Sequence, residues 1–135
     1  MSHFHLFVYG TLRTGAAAAD LLAGCERVGA GTLPGTLYDI GGRFPALLPY
    51  GSGTVHGEVR RCPAELLARL DSHEGTAEGL FRRIAGAVET SAGERVACWV
   101  YTAGPALAHE LTPERRIEGG EWHVPAPGAS RDEAR

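Results

Sequence analysis

Leu6-Phe7-Val8-Tyr9-Gly10-Thr11-Leu12-Arg13-Thr14-Gly15, followed directly by Ala16-Ala17-Ala18-Ala19-Asp20-Leu21-Leu22, decides how the chain is read. A short apolar run ends in a glycine-containing turn and gives way to strong helix formers, the local grammar of strand, tight turn and helix. The N–H groups of such a turn, and of the first turn of a helix, have no intrahelical partner. The passage from Val8 to Ala16 is therefore a natural cradle for an anion or an oxyanion. It is not spelled for phosphate, because the Gly-Lys-Ser/Thr of a P-loop and the three-glycine spacing of a dinucleotide fingerprint are both missing. A plain connection between strand and helix is the other reading of the same residues.

Working outward, His3 to Tyr9 places Phe4, Leu6 and Val8 on one face and Phe7 and Tyr9 on the other, which predicts a strand buried on both faces and hence central. A helix is predicted over Ala16 to Leu22, stopped by Gly24 in a left-handed cap. Gly29, Gly31, Pro34 and Gly35 break the next stretch into two short strands, the second being Thr36 to Ile40, and Gly41-Gly42 turns the chain. Phe44 to Pro49 is apolar but bracketed by prolines, as befits an edge segment or a packed loop. Thr54 to Arg61 alternates Val55, Gly57 and Val59 against His56, Glu58 and Arg60, predicting a strand with one wet face.

The clearest helical signal is Pro63 to Ser72, with Leu66, Leu67 and Leu70 as its buried stripe and Gly75 at the exit. Four residues beyond Leu70 the stripe lands on Glu74, so a carboxylate occupies an inward-facing position. Leu80 to Glu89 and Arg95 to Thr102 form a predicted hairpin around Ser91-Ala92-Gly93-Glu94, and the second arm is apolar on both faces. A brief helical turn is expected over Ala106 to Leu111, and Ile117 to Val124 carries a Gly-Gly-Glu-Trp element. Residues 1–124 read as a single domain, and Pro125 to Arg135 as a disordered tail.

Composition narrows the function. The chain has 135 residues, is 44% hydrophobic and 21% charged, and contains 19 glycines and 8 prolines, which points to a globular, turn-rich, β-dominated fold. All 13 basic residues are arginine and the net charge is -3, leaving no basic excess for nucleic acid. Cys25, Cys62 and Cys98 are odd in number and without a Cys-x-x-Cys pair, so neither a disulfide framework nor a zinc site is expected, and a reducing cytoplasm fits. No long apolar window suggests a membrane span or a leader.

Among the polar residues, Glu74 stands out. A carboxylate on the apolar side of a helix exit is partly desolvated, which lifts its pKa to where it can both accept and donate a proton near neutrality. A surface glutamate, or an ion pair with Arg82 or Arg83, is the competing reading. His3 and His5 share a strand face, but at a fraying chain end no metal site is expected of them. The cysteines read as small buried hydrophobes, and Ser52 lacks the strand-to-elbow setting of a hydrolase nucleophile.

Taken together, Val8-Tyr9-Gly10-Thr11-Leu12-Arg13, Leu70-Asp71-Ser72-His73-Glu74-Gly75, Phe81-Arg82-Arg83-Ile84, Trp99-Val100-Tyr101 and Glu118-Gly119-Gly120-Glu121-Trp122 resemble in order and spacing the γ-glutamylcyclotransferase-like family, which includes plant avirulence-induced proteins. The resemblance spans about residues 4 to 124. It implies an α+β, mostly β fold, a small and strongly bent mixed β-barrel with short flanking helices. It also implies that Tyr9, Gly10, Thr11 and Leu12 form the loop that holds a glutamyl head group and that Glu74 is the catalytic acid/base. Phe81 departs from the family pattern, in which tyrosine is common at this position.

The implied reaction is intramolecular. The α-amine of a γ-glutamyl amide attacks its own γ-carbonyl, closes the lactam 5-oxoproline and expels an amine or amino acid. One poised carboxylate can take the proton and return it to the leaving nitrogen, so no cofactor is expected. The N–H groups of Gly10 to Leu12 are the donors on offer to the oxyanion. Tyr101 is expected either to line the pocket or to be an ordinary core tyrosine. Arg13 reads either as a partner of the substrate carboxylate or as an outward arginine with a structural partner. The expected partner is a small γ-glutamyl compound, with no nucleic acid or membrane, in a monomer or homodimer. A binding module with the same pocket and no turnover is the alternative, and hydrolysis to free glutamate a third.

Overall fold

The computed structural model describes residues 2–123, so the tail expected over Pro125 to Arg135 lies outside the described residues. Among the described residues seven strands follow one another as β1 (His3–Val8), β2 (Glu26–Pro34), β3 (Thr36–Ile40), β4 (Phe44–Leu48), β5 (Thr54–Pro63), β6 (Phe81–Thr90) and β7 (Arg95–Ala103), with one α-helix, α1 (Leu67–His73). Five of the strands close a barrel in the order β1-β5-β2-β6-β7, while β3 and β4 make a separate two-stranded hairpin. The barrel is mixed, because β1 pairs antiparallel with β5 but parallel with β7, where Leu6 faces Trp99 and Phe7 faces Val100. The mostly β barrel with short helices implied by the sequence is the fold observed.

Strand β1 is central for the reason its pattern gives. Phe7 and Tyr9 enter the core cluster with Leu33, Leu47, Val59, Val88 and Val100. Leu6 and Val8, on the opposite face, pack with Leu22, Cys62, Leu70 and Tyr101 beneath the short helices. Strand β7 also contributes to both clusters, so the two parallel neighbours are sandwiched between two cores.

Three local expectations are corrected. The helix expected over Ala16 to Leu22 is a single 3-10 turn, Ala19–Leu22. The segment runs through successive three-residue turns, among them Ala16 N–H to Arg13 O and Ala19 N–H to Ala16 O, while Ala18 N–H is drawn away to Thr11 O. Seven residues are too few to hold an α-helix unaided. Here Arg60 also takes the carbonyls of Leu22 and Cys25 at 3.1 and 3.0 Å, and Gly24 adopts no left-handed cap. The helix expected over Pro63 to Ser72 begins later. Pro63 ends β5 in an extended conformation, Ala64–Leu66 is a 3-10 turn, and the α-helix proper is α1. Finally, the face of β5 expected to be wet is dry over part of its length, because Glu58 and Arg60 are buried beneath the segment that follows β1.

Close backbone approach explains Gly57. A Cβ there would sit 2.3 Å from the Val8 carbonyl oxygen and 2.8 Å from the Phe7 ring. Among the described residues no helix is long and apolar enough to cross a membrane. Because neither neighbour of Gly57 is the free end of a flexible side chain, Gly57→Ala is expected to cost about 1–3 kcal/mol and to lower Tm by roughly 3–10 °C in thermal unfolding; an unchanged Tm would contradict this packing.

Candidate active site

A cleft of ≈ 360 Å³ opens at the end of β1, within the size range of small-molecule sites. It is lined on one side by Tyr9, Gly10, Thr11 and Leu12, and on the other by Glu74 and Tyr101, with Ala17, Ala18, Phe44, Pro45, Leu80 and Phe81 completing apolar walls. Tyr9, Gly10, Thr11, Leu12, Glu74 and Tyr101, which the sequence offered as catalytic or substrate-binding, therefore line one cleft. Arg13 does not line it, its guanidinium being held by Glu121 Oε2 at 3.1 Å and the Trp122 carbonyl at 3.0 Å.

The turn side is built by Gly10 O accepting from Arg13 N–H at 3.0 Å, which leaves Thr11 and Leu12 as the central residues of a four-residue turn. Among the described residues the N–H groups of Gly10, Thr11 and Leu12 donate to no protein acceptor. Glycine is required at position 10 by packing, since a Cβ would lie 2.7 Å from the Pro45 ring. Farther along, Thr14 is anchored through its N–H and its hydroxyl to the buried carboxylate of Glu58 at 3.2 and 3.1 Å. The loop is thus tied at both ends.

The carboxylate side is built by α1. Glu74 follows the helix, its N–H still bonded to Leu70 O at 2.9 Å, and Gly75 then takes the positive φ of 68° that ends it. The Glu74 side chain is 12% exposed, and the His73 Nε2 lies 3.7 Å from its Oε2, beyond hydrogen-bond reach. Burial lifts its carboxyl from the ordinary 4.5 to about 7. Among the described residues Glu74 forms no ion pair with Arg82 or Arg83, the latter being taken by Asp71 in a two-pronged contact of 2.9 and 3.2 Å.

Two phenols join these halves. The Tyr9 hydroxyl donates to the Tyr101 carbonyl at 2.5 Å and accepts from Leu47 N–H at 3.3 Å. The Tyr101 hydroxyl donates to Asp71 Oδ1 at 2.6 Å. Burial first, and the nearby Glu74 second, hold the Tyr9 phenol well above its ordinary range. Burial together with the Asp71 bond does the same for Tyr101. Both phenols stay protonated. Burial pushes the Cys98 thiol up to about 11 and the Cys62 thiol higher still, so neither offers a nucleophile.

Sequence reasoning assigned no role to Asp71 or Pro45. Asp71 stood inside a quoted motif without one, and its signal is the i, i+3 spacing to Glu74, which places both on neighbouring helix positions. The packing of Pro45 on Gly10 joins two distant segments and left no signal in the sequence.

The chain is similar to several known proteins. The family description "Gamma-glutamyl cyclotransferase, AIG2-like" matches residues 6–124. Over 118 residues the chain is 38% identical to a gamma-glutamylcyclotransferase family protein YtfP of Citrobacter rodentium, covering 87% of this chain and 93% of that one. It is 29% identical to the protein of the same name from Escherichia coli K12, covering 87% and 94%. Among solved structures it superimposes on an AIG2-like protein from Mus musculus with a TM-score of 0.73 at 25% identity, covering 91% and 90% of the two chains.

The buried carboxyl also couples pH to stability. Folding raises the Glu74 pKa from 4.5 to about 7, so ionisation opposes folding. The opposition is absent below the unfolded value, grows between the two, and is complete above the folded one. Glu74→Gln is therefore expected to gain about 2–3 kcal/mol relative to wild type between about pH 4 and about pH 8 in denaturant unfolding. A difference that stays flat with pH would contradict the burial.

Proposed function

This chain belongs to the gamma-glutamyl cyclotransferase, AIG2-like family, and from that premise we propose that it converts a γ-glutamyl amide to 5-oxoproline and a free amine or amino acid. The observation that carries the reading is a desolvated carboxylate without an arginine partner, Glu74, in the same cleft as three unpaired backbone N–H groups. A carboxyl poised at about 7 is ionised in enough molecules to act as a base and is still acid enough to return the proton.

In the proposed mechanism the N–H groups of Gly10, Thr11 and Leu12 are shared between the α-carboxylate of the glutamyl head and the γ-carbonyl oxygen. Among the described residues the cleft lining includes no arginine or lysine, and beside His73 the backbone donors are the recognition element for the anion. Ionised Glu74 removes a proton from the α-ammonium. The freed amine attacks the γ-carbon, and the negative charge that develops on oxygen is met by donors already in place. Collapse of the tetrahedral species breaks the bond to the leaving nitrogen, which takes its proton from Glu74. The ring nitrogen gives up its second proton through the regenerated Glu74 carboxylate to the departing amine, which leaves as ammonium beside a neutral lactam. Holding the chain curled supplies further rate by orientation. Tyr9 contributes by fixing the turn, Tyr101 by its ring, and the apolar walls exclude water.

The test is release of 5-oxoproline from γ-glutamyl dipeptides and γ-glutamyl amines by wild type and Glu74→Gln. The expected result is lactam from wild type, rising as pH passes through about 7, and a loss of roughly 10²- to 10⁴-fold in kcat for the variant. Undiminished product from Glu74→Gln would overturn the assignment. Saturable binding of these compounds with no lactam would favour the binding-only reading, and free glutamate would indicate hydrolysis.

A further inference from the structure

The two sides of the cleft come from distant parts of the chain, and hydrogen bonds run between them without a break. Tyr101 stands at the centre. Its hydroxyl reaches the helix through Asp71 at 2.6 Å, and its carbonyl receives the hydroxyl of Tyr9, the residue that leads into the donor turn. Tyr9 in turn accepts from Leu47 N–H at 3.3 Å, which ties in the β4 strand whose Pro45 packs on Gly10.

Behind Asp71 the chain of contacts continues. Arg83 grips both carboxylate oxygens at 2.9 and 3.2 Å, and its guanidinium lies 4.2 Å over the Trp99 ring. A planar fork stacked on an indole has little freedom, so the carboxylate it holds is fixed in turn. Asp71 also accepts from Thr76 through its carbonyl, from the N–H at 3.2 Å and the hydroxyl at 3.3 Å, closing the loop around Glu74 and Gly75. The segment carrying Glu74 is thereby held on both sides by one residue. The arrangement is out of proportion to α1, a helix of 7 residues that propensity alone could not keep in place.

We propose that Asp71 and Tyr101 are positioning residues, which set the separation and orientation of the Glu74 carboxylate relative to the N–H groups of the Gly10 to Leu12 turn. This rests on the reading of Glu74 as the acid/base. The Tyr101 hydroxyl acts on the helix and makes no contact with substrate; its ring remains a wall of the cleft. The groups facing Glu74 are His73 on its own segment, Tyr9 from the turn and Tyr101 from β7. The Tyr101 phenol is neutral, so removing its hydroxyl changes geometry without removing a charge.

Tyr101→Phe is the informative variant, because it keeps the ring and the carbonyl that receives Tyr9 while deleting only the bond to Asp71. Asp71→Ala is the more severe companion. Both are assayed with a γ-glutamyl amide that wild type turns over, in parallel with backbone amide exchange at Glu74 and Thr76. For Tyr101→Phe the expected result is a fall in kcat of roughly 10- to 100-fold with KM nearly unchanged, and faster exchange at both amides. For Asp71→Ala both effects are larger. Wild-type kcat in Tyr101→Phe overturns the proposal and leaves the reading of Glu74 standing. A raised KM at unchanged kcat also overturns it, assigning the hydroxyl to substrate contact. Absence of lactam from wild type itself overturns the reading of Glu74 and this proposal with it.

Discussion

The structure depends on the parallel seam where β1 lies beside β7. Leu6 and Phe7 face Trp99 and Val100 across it, and this is the pairing that closes the barrel. Parallel neighbours need cover on both faces, and both faces are covered here, by the cluster around Phe7 and Val100 and by the cluster around Leu6 and Leu70. Two things follow for the cleft. The end of β1, where the chain leaves the sheet as the Gly10 turn, comes to lie against Tyr101 of β7. The short helix α1, packed on the outer cluster through Leu70, delivers Glu74 to the same place.

That placement determines the electrostatics of the cleft. A carboxyl group set among apolar walls, with its neighbouring arginine already claimed by Asp71, has desolvation as the dominant influence on its ionisation. Opposite lies backbone whose donors are unspent because a turn cannot satisfy them internally. In the proposed reaction, charge recognition passes through N–H dipoles, while the titratable group is kept for moving protons. Had Arg83 reached Glu74, the pair would have been a structural ion pair with a depressed pKa and no use as a base near neutrality.

Much of this was legible in the sequence because it is local. Two-faced apolar alternation marked His3 to Tyr9 and Arg95 to Thr102 as central strands, and the helical stripe through Leu66 and Leu70 pointed at Glu74. What could not be read depends on partners far along the chain. The Ala16 to Leu22 segment carries helix formers but yields a 3-10 turn, since Arg60 claims the Leu22 and Cys25 carbonyls from another strand. Glu58 and Arg60 looked like a wet face because the loop that covers them precedes them by more than thirty positions. Asp71, Arg83 and Tyr101 meet only once β6 and β7 are folded onto the helix. The bond from Tyr9 to the Tyr101 carbonyl joins positions 92 residues apart.

Proton transfer in the proposed reaction depends on one property, a Glu74 carboxyl held by burial at a pKa near neutrality. A ¹³C NMR titration of the Glu74 side-chain carboxyl carbon in the intact protein, assigned by comparison with Glu74→Gln, measures it without reference to any substrate. The account predicts a midpoint at about 7, and a midpoint near the ordinary 4.5 would contradict it.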